Sequence, residues 1–226
     1  MIVKEVPKFN DNEPIDATEY RWIVGSIQYL TFTRPDIAHA VNYVCQKFQQ
    51  PTKADLCSVK RILGYLKGTL NIGLRYLKQS SLKLYGFSYS DWAGCPLTRR
   101  SISRFCIYLG TNCINWSSKK QATVARSSVE AKYCCMASTT VELTLLTYLL
   151  KDIGIKLVAT PTLIYDNKSA LDMSKNLVFH SCTKHIKLDY HFVVRRSHKD
   201  CLTQDTLLLY LKLLTYLQSL YLRNSS

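Results

Sequence analysis

The hexapeptide "YSDWAG", Tyr89 to Gly94, places a carboxylate, Asp91, where a short apolar run ends. An acid at a strand end can belong to a cluster that grips a divalent cation, or it can simply be a polar residue that closes the strand. Two basic pairs, Arg99-Arg100 and Lys119-Lys120, flank the neighbouring apolar runs. They could track the phosphates of a nucleic-acid duplex, although a solvated basic face gives the same pattern. His180, His185 and His191 with Asp189 imitate a metal set. Intervals of five and six residues do not bring three imidazoles to one helical face, so capping and packing are the better reading. The nine cysteines include no C-x-x-C pair, which argues against a zinc site and a disulfide framework and for reduced core thiols. Cys134 and Cys135 are adjacent on one helical stretch and point to different faces. Ser127 and Ser128 suit helix capping better than nucleophilic work, since no His-Asp pattern accompanies them.

The elements that must carry these residues fall into two textures. After a polar lead-in with prolines at 7 and 14, Trp22, Ile23, Ile27, Tyr29 and Leu30 recur at helical spacing, and a second helix follows Pro35. A third helix presents Leu56, Val59, Ile62, Leu63 and Leu66 on one face. Polar "KQSS" at 78 to 81 then separates these helices from short apolar runs at 82–89, 105–110 and 112–118, which predict three strands with a tight turn around Gly110. Ser127 or Ser128 caps a long helix that stops at Gly154, and 160–166 predicts a fourth strand. Two further helices, "NKSALDMSKN" and "TKHIKLDYHFVVRRSHK", follow it. Trp92 and Trp116 are expected to pack in the core beside the strands. The Leu- and Tyr-rich stretch 202–222 lacks the clean apolar length of a membrane span and reads as a packed or aggregation-prone terminal helix.

An apolar content of 47% in 226 residues is enough to build cores, and the formal charge of +14 favours polyanionic partners. The chain opens without a secretory leader pattern and reads as intracellular, in the cytoplasm or nucleus.

Seven blocks are specific enough to identify relatives: "YRWIVGSIQYLTFTRPDIAHAVN", "KRILGYLKGT", "DWAG", "RRSISRFCIYLG", "INWSSKKQATVARSSVEAKY", "YDNKSAL" and "TKHIKLDYHF". Together, over roughly residues 14 to 196, they resemble the C-terminal part of the Pol polyprotein of copia-type LTR retrotransposons. The resemblance implies an α/β fold, a ribonuclease H-like mixed sheet flanked by helices, preceded by a small helical domain. Residues 1–18 are then an extended lead-in and 19–78 a connection or thumb-like segment from the end of reverse transcriptase. Residues 82–200 form the ribonuclease H-like domain, and 201–226 a divergent Leu-rich tail. The paired aspartates of the polymerase motif do not occur in this chain, which excludes DNA synthesis by it alone.

The activity implied is cleavage of the RNA strand of an RNA–DNA hybrid, with Mg2+ or Mn2+ as cofactor, hybrid or other nucleic acid as partner, and no small-molecule substrate. Such chemistry uses two metal ions about 4 Å apart, held by four carboxylates. Laid onto the family pattern D-x-D-W-A-G, the first acid is Tyr89, and Asp91 follows it. In the helical motif the acid falls on Lys132. "YDNKSAL" keeps its acid as Asp166, and the last acid has no counterpart. Asp166 and Asp91 are therefore the remnants that could hold metal. Asp91 shares a face with Tyr89 but lies about 6.6 Å along the strand, and Glu130 lies about 200° around the helix from Lys132. A lysine about 4 Å from a divalent ion costs roughly 8 kcal/mol at an effective dielectric of about 20, before solvent and side-chain movement reduce it. The resemblance thus implies a degenerate active site, with a non-catalytic nucleic-acid-binding module or a functionless pseudogene product as the alternatives.

Overall fold

Short polar side chains set the helix starts in the N-terminal third. The Asp16 carboxylate accepts the Thr18 N–H at 2.8 Å and opens α1 (Ala17–Leu30). Thr52 opens α3 (Lys53–Gly68) reciprocally: its hydroxyl accepts from the Asp55 N–H, while the Asp55 carboxylate accepts from the Thr52 N–H at 3.0 Å. Between them Pro35 begins a single 3-10 turn (Pro35–Ile37) that runs into α2 (Ala38–Cys45), where its fixed φ costs nothing. The computed structural model describes residues 12–95, 97–165 and 203–206. The chain divides into two units, Met1–Leu74 and Arg75–Ser226, and these helices belong to the first.

Tyr20, Val24 and Ile27 of α1 meet Val41 and Val44 of α2 and Val59, Ile62 and Leu66 of α3 in one core. The face expected for α1 is corrected: Trp22, Tyr29 and Leu30 are exposed, as is Leu63 of α3. Apolar residues lie around much of the α1 circumference, so periodicity admits more than one phase. In the phase that packs, the compact Val24 allows close approach and the buried Tyr20 hydroxyl donates to the Val44 carbonyl at 2.9 Å. Buried Arg34 ties the unit together. It pairs with Asp36 at 2.8 Å, donates to the Thr69 carbonyl at 3.0 Å, and lies 5.8 Å from the Tyr65 ring centroid.

In the second unit, alternation of buried and half-buried residues builds β1 (Leu84–Asp91), followed by β2 (Ile102–Leu109) and β3 (Asn112–Lys120). The β2–β3 turn depends on Gly110, at φ +61, where a side chain would meet the Ser80 hydroxyl and the Ser81 backbone. α4 (Ser128–Asp152) is capped by Ser127, whose hydroxyl accepts from the Glu130 N–H at 3.1 Å, and Gly154 follows it at φ +80. β4 (Thr162–Tyr165) and β5 (Thr203–Thr206) complete a sheet of order β3-β2-β1-β4-β5. β1, β2 and β3 pair antiparallel, whereas β4 runs parallel to β1 and β5 parallel to β4. This mixed sheet, with the long helix between β3 and β4, has the arrangement that the resemblance implies.

α4 packs on one face of the sheet. Tyr133, Met136 and Leu143 join Leu84, Ile107 and Leu163 in its core. Gly86 is what lets helix and central strand approach, since a Cβ there would lie 2.8 Å from Leu143 Cδ1 and 3.2 Å from Thr139 Cγ2. Among the described residues α4 is the one helix long and apolar enough to cross a membrane, and here it serves as the core helix.

Thr203–Thr206 corrects the reading of 202–222 as one terminal helix. "TQDT" carries no apolar alternation to betray a strand, because an outermost strand is held mainly by backbone pairing to its neighbour. The helices expected over 167–176 and 183–199, with His180, His185, Asp189 and His191, lie outside the described residues.

Candidate functional site

The C-terminal end of β1 gathers most of the chemistry. Along this strand the even-numbered positions face α4, as the Ser88 hydroxyl shows by meeting the Cys135 thiol of α4 at 3.2 Å. Tyr89 and Asp91 therefore project from the opposite face. Tyr89 pairs across the ladder with Arg104 of β2, and that guanidinium carbon lies 5.6 Å from the Tyr89 ring centroid. Where the resemblance leads one to expect an acid, this chain has an aromatic ring beneath a cation. Lys132 belongs to α4, and so to the other face of the sheet. The parallel register of β1 with β4 ends at Ser88 and Tyr165, one residue short of Asp166, which lies outside the described residues.

Asp91 has a local task. Its carboxylate folds over Gly94 so closely that a Cβ at Gly94 would collide with Oδ2. Between them Ala93 takes a left-handed φ of +53 and donates its N–H to the Ser101 hydroxyl at 3.2 Å. Trp92, expected in the core, is instead 48% exposed. Its indole N–H donates to the Ala125 carbonyl at 3.1 Å, so the ring lies along the surface and pins the loop before α4. Trp116 is half-buried. The "DWAG" block is thus a turn in which the Asp91 carboxylate lies against Gly94 and the Trp92 indole bonds to distant backbone.

The two basic pairs, distant in sequence, come to the same end of the sheet. The Cys95 N–H donates to the Arg100 carbonyl at 3.1 Å, the Arg99 N–H donates to the Cys95 carbonyl at 2.8 Å, and the loop carries both arginines into the start of β2. Lys119 and Lys120 close β3 opposite Ser103 and Ile102 of β2. Lys120 Nζ reaches the Cys95 sulfur at 3.5 Å. Burial by itself would raise the Cys95 thiol, but hydrogen bonds from the Thr98 hydroxyl, from the Thr98 and Leu97 N–H groups and from Lys120 lower it to about 7. Arg104 and Cys95 belong to this end of the sheet too, and nothing in the sequence singled them out. Their neighbours are defined by cross-strand register and loop closure, which have no local signature.

Magnesium and manganese ask for several oxygen ligands converging on one point. Among the described residues no group of three His, Cys, Asp or Glu side chains comes together. Glu130 accepts the Arg126 N–H at 2.6 Å within the α4 cap. With Tyr89 under Arg104, Lys132 at the helical position and Asp91 closed over Gly94, the described donor set does not fit a two-metal centre.

At 48% identity over 178 residues the chain is similar to the "Retrovirus-related Pol polyprotein from transposon RE1" of Arabidopsis thaliana, an alignment covering 79% of this chain and 12% of that protein. The corresponding protein from transposon RE2 of the same plant aligns at 47% over 178 residues, 79% of this chain and 12% of the relative. The chain thus spans 12% of the length of these relatives. Among solved structures, a ribonuclease H1 isolated from compost by a metagenomic approach superposes with a TM-score of 0.44 at 12% identity, over 64% of this chain and 99% of that one. No family model matches the chain.

Proposed function

Because the chain belongs to the Pol polyproteins of copia-type retrotransposons, we propose that it is a ribonuclease H-like retroelement protein that has lost hydrolysis of RNA–DNA hybrids and keeps a basic rim for nucleic acid. The observation that carries this reading is the Tyr89–Arg104 stack at the end of β1. A cation lies where metal-holding negative charge is needed, and Tyr89 supplies a phenol in place of a carboxylate. The binding half is supported by the formal charge of +14 and by the convergence of Arg99, Arg100, Lys119 and Lys120 at one end of the sheet. Divalent metal, hybrid cleavage and the ancestral role of Asp166 come to this chain from the family resemblance.

The test is a labelled RNA–DNA hybrid offered in Mg2+ or Mn2+ to the protein and to its Asp166→Asn variant. The unaltered protein should leave the RNA intact while retaining it in a filter assay whose affinity falls steeply with salt. Replacing the four basic residues by alanine should flatten that salt slope by up to four contacts' worth. Cleavage of the RNA by the unaltered protein that is lost in Asp166→Asn would sink the loss of hydrolysis. Salt-independent retention would sink the basic rim.

A further inference from the structure

The β2–β3 hairpin holds a pair of thiols that nucleic-acid binding does not use. Cys113 stands opposite Tyr108 in the ladder and Cys106 opposite Trp116, with the register shifting between Ile107 and Tyr108. The irregularity gives β3 one more residue than β2 over this span. Cys106 and Tyr108 are two apart on β2 and share a face, and Cys113 opposite Tyr108 shares it too, so the two cysteines are diagonal neighbours. Their side chains share a hydrogen bond. Cys135, in contrast, lies on the α4 side, where its thiol meets Ser88 and the carbonyls of Tyr89 and Arg104.

We propose that Cys106 and Cys113 are an oxidisable dithiol, at which a peroxide forms a disulfide that clamps the hairpin. The two thiols are already unequal. The hydrogen bond from Cys106, helped by Tyr108 and opposed by burial, lowers the Cys113 thiol. The same bond, together with burial, raises Cys106 well above its ordinary value. Cys113 is therefore the nucleophile and Cys106 the resolving thiol. The Cys113 thiolate attacks one peroxide oxygen, the O–O bond breaks, and the other oxygen leaves as water, giving a sulfenic acid on Cys113. Cys106 sulfur then attacks the Cys113 sulfur, the S–O bond breaks, and the hydroxyl leaves as a second water with the Cys106 proton. Two thiols lose two electrons in total, and the peroxide becomes two waters. Cys113 is buried just after the turn on β3, an outer strand of the sheet, so a small oxidant reaches it through opening at the end of the hairpin.

Trypsin isolates the pair in one peptide, Phe105 to Lys119, which contains no other cysteine. The full chain, treated with hydrogen peroxide, then unfolded, alkylated with iodoacetamide and digested, should yield this peptide unalkylated and about 2 Da lighter than its dithiol form. Reductant should restore two alkylation sites. Cys106→Ser and Cys113→Ser should each abolish the mass loss, and the same oxidation in concentrated urea should slow it at least tenfold. Recovery of the doubly alkylated peptide once exposed Cys57 is oxidised would overturn the proposal, as would equal disulfide formation in urea.

Discussion

Asp91 and Gly94 constrain each other, which makes the meaning of the carboxylate measurable. Gly94→Ala drives a Cβ onto the Asp91 carboxylate and should cost about 1–3 kcal/mol in urea unfolding, as overpacking does. In Asp91→Ala, Gly94→Ala the clash is gone, so the double variant should be more stable than the sum of the single losses by about 1 kcal/mol or more. Strict additivity would show that the turn does not depend on this contact. The shared face of Tyr89 and Asp91 could be read from strand alternation, and so could the turn at Gly110. The partner of Tyr89 could not, because Arg104 faces it only through the β1–β2 register. Trp92 misled for a related reason: an indole satisfied by one backbone carbonyl can lie half in solvent, and hydrophobicity does not report that bond.

Secondary-structure elements were most readable where a side chain closes its own backbone. Ser127, read as a cap, marks the start of α4 through a bond to the residue three positions on, so sequence spacing contains the geometry, whereas the same kind of cap at Asp16 and Thr52 was not singled out. The packed face of α1 and the existence of β5 depend on distant partners, and both readings needed correction. The joint between the 3-10 turn and α3 shows such a long-range tie and gives it a pH signature. Burial would raise the Asp36 carboxyl, but hydrogen bonds from Arg34 and Tyr65 and the Arg34 charge together hold it below the usual carboxylate value. A carboxyl depressed in the folded state contributes stability above its unfolded pKa and loses it as pH falls through the folded one. Asp36→Asn should therefore cost about 3 kcal/mol at pH 7, since Arg34 keeps a buried charge without its counter-ion. The gap between variant and unaltered protein should shrink below about pH 4, as the native Asp36 also loses its charge. Denaturant titrations at both pH values check this, and a constant gap would contradict the ion-pair account.

At the scale of the whole chain, two cores are built by different kinds of contact. The first unit joins helices that follow one another in sequence, whereas the sheet of the second pairs Tyr85 with Thr162 and Thr162 with Thr203. Loop closure makes the second arrangement slower to form. Refolding of the Trp22→Phe variant, in which Trp92 and Trp116 report on the second unit, should show fluorescence recovering at least tenfold more slowly than the first helical signal in far-ultraviolet circular dichroism. A single shared rate would mean that the units fold as one. The central place of β1 also matters during synthesis. On the ribosome β1, β2 and β3 emerge together, but the other edge of β1 waits for β4, and the chain between them takes on the order of several seconds to translate. Throughout that interval Tyr85 to Ser88 present unpaired backbone groups to any passing strand, so the nascent polypeptide is most open to misassembly before its second half has been made.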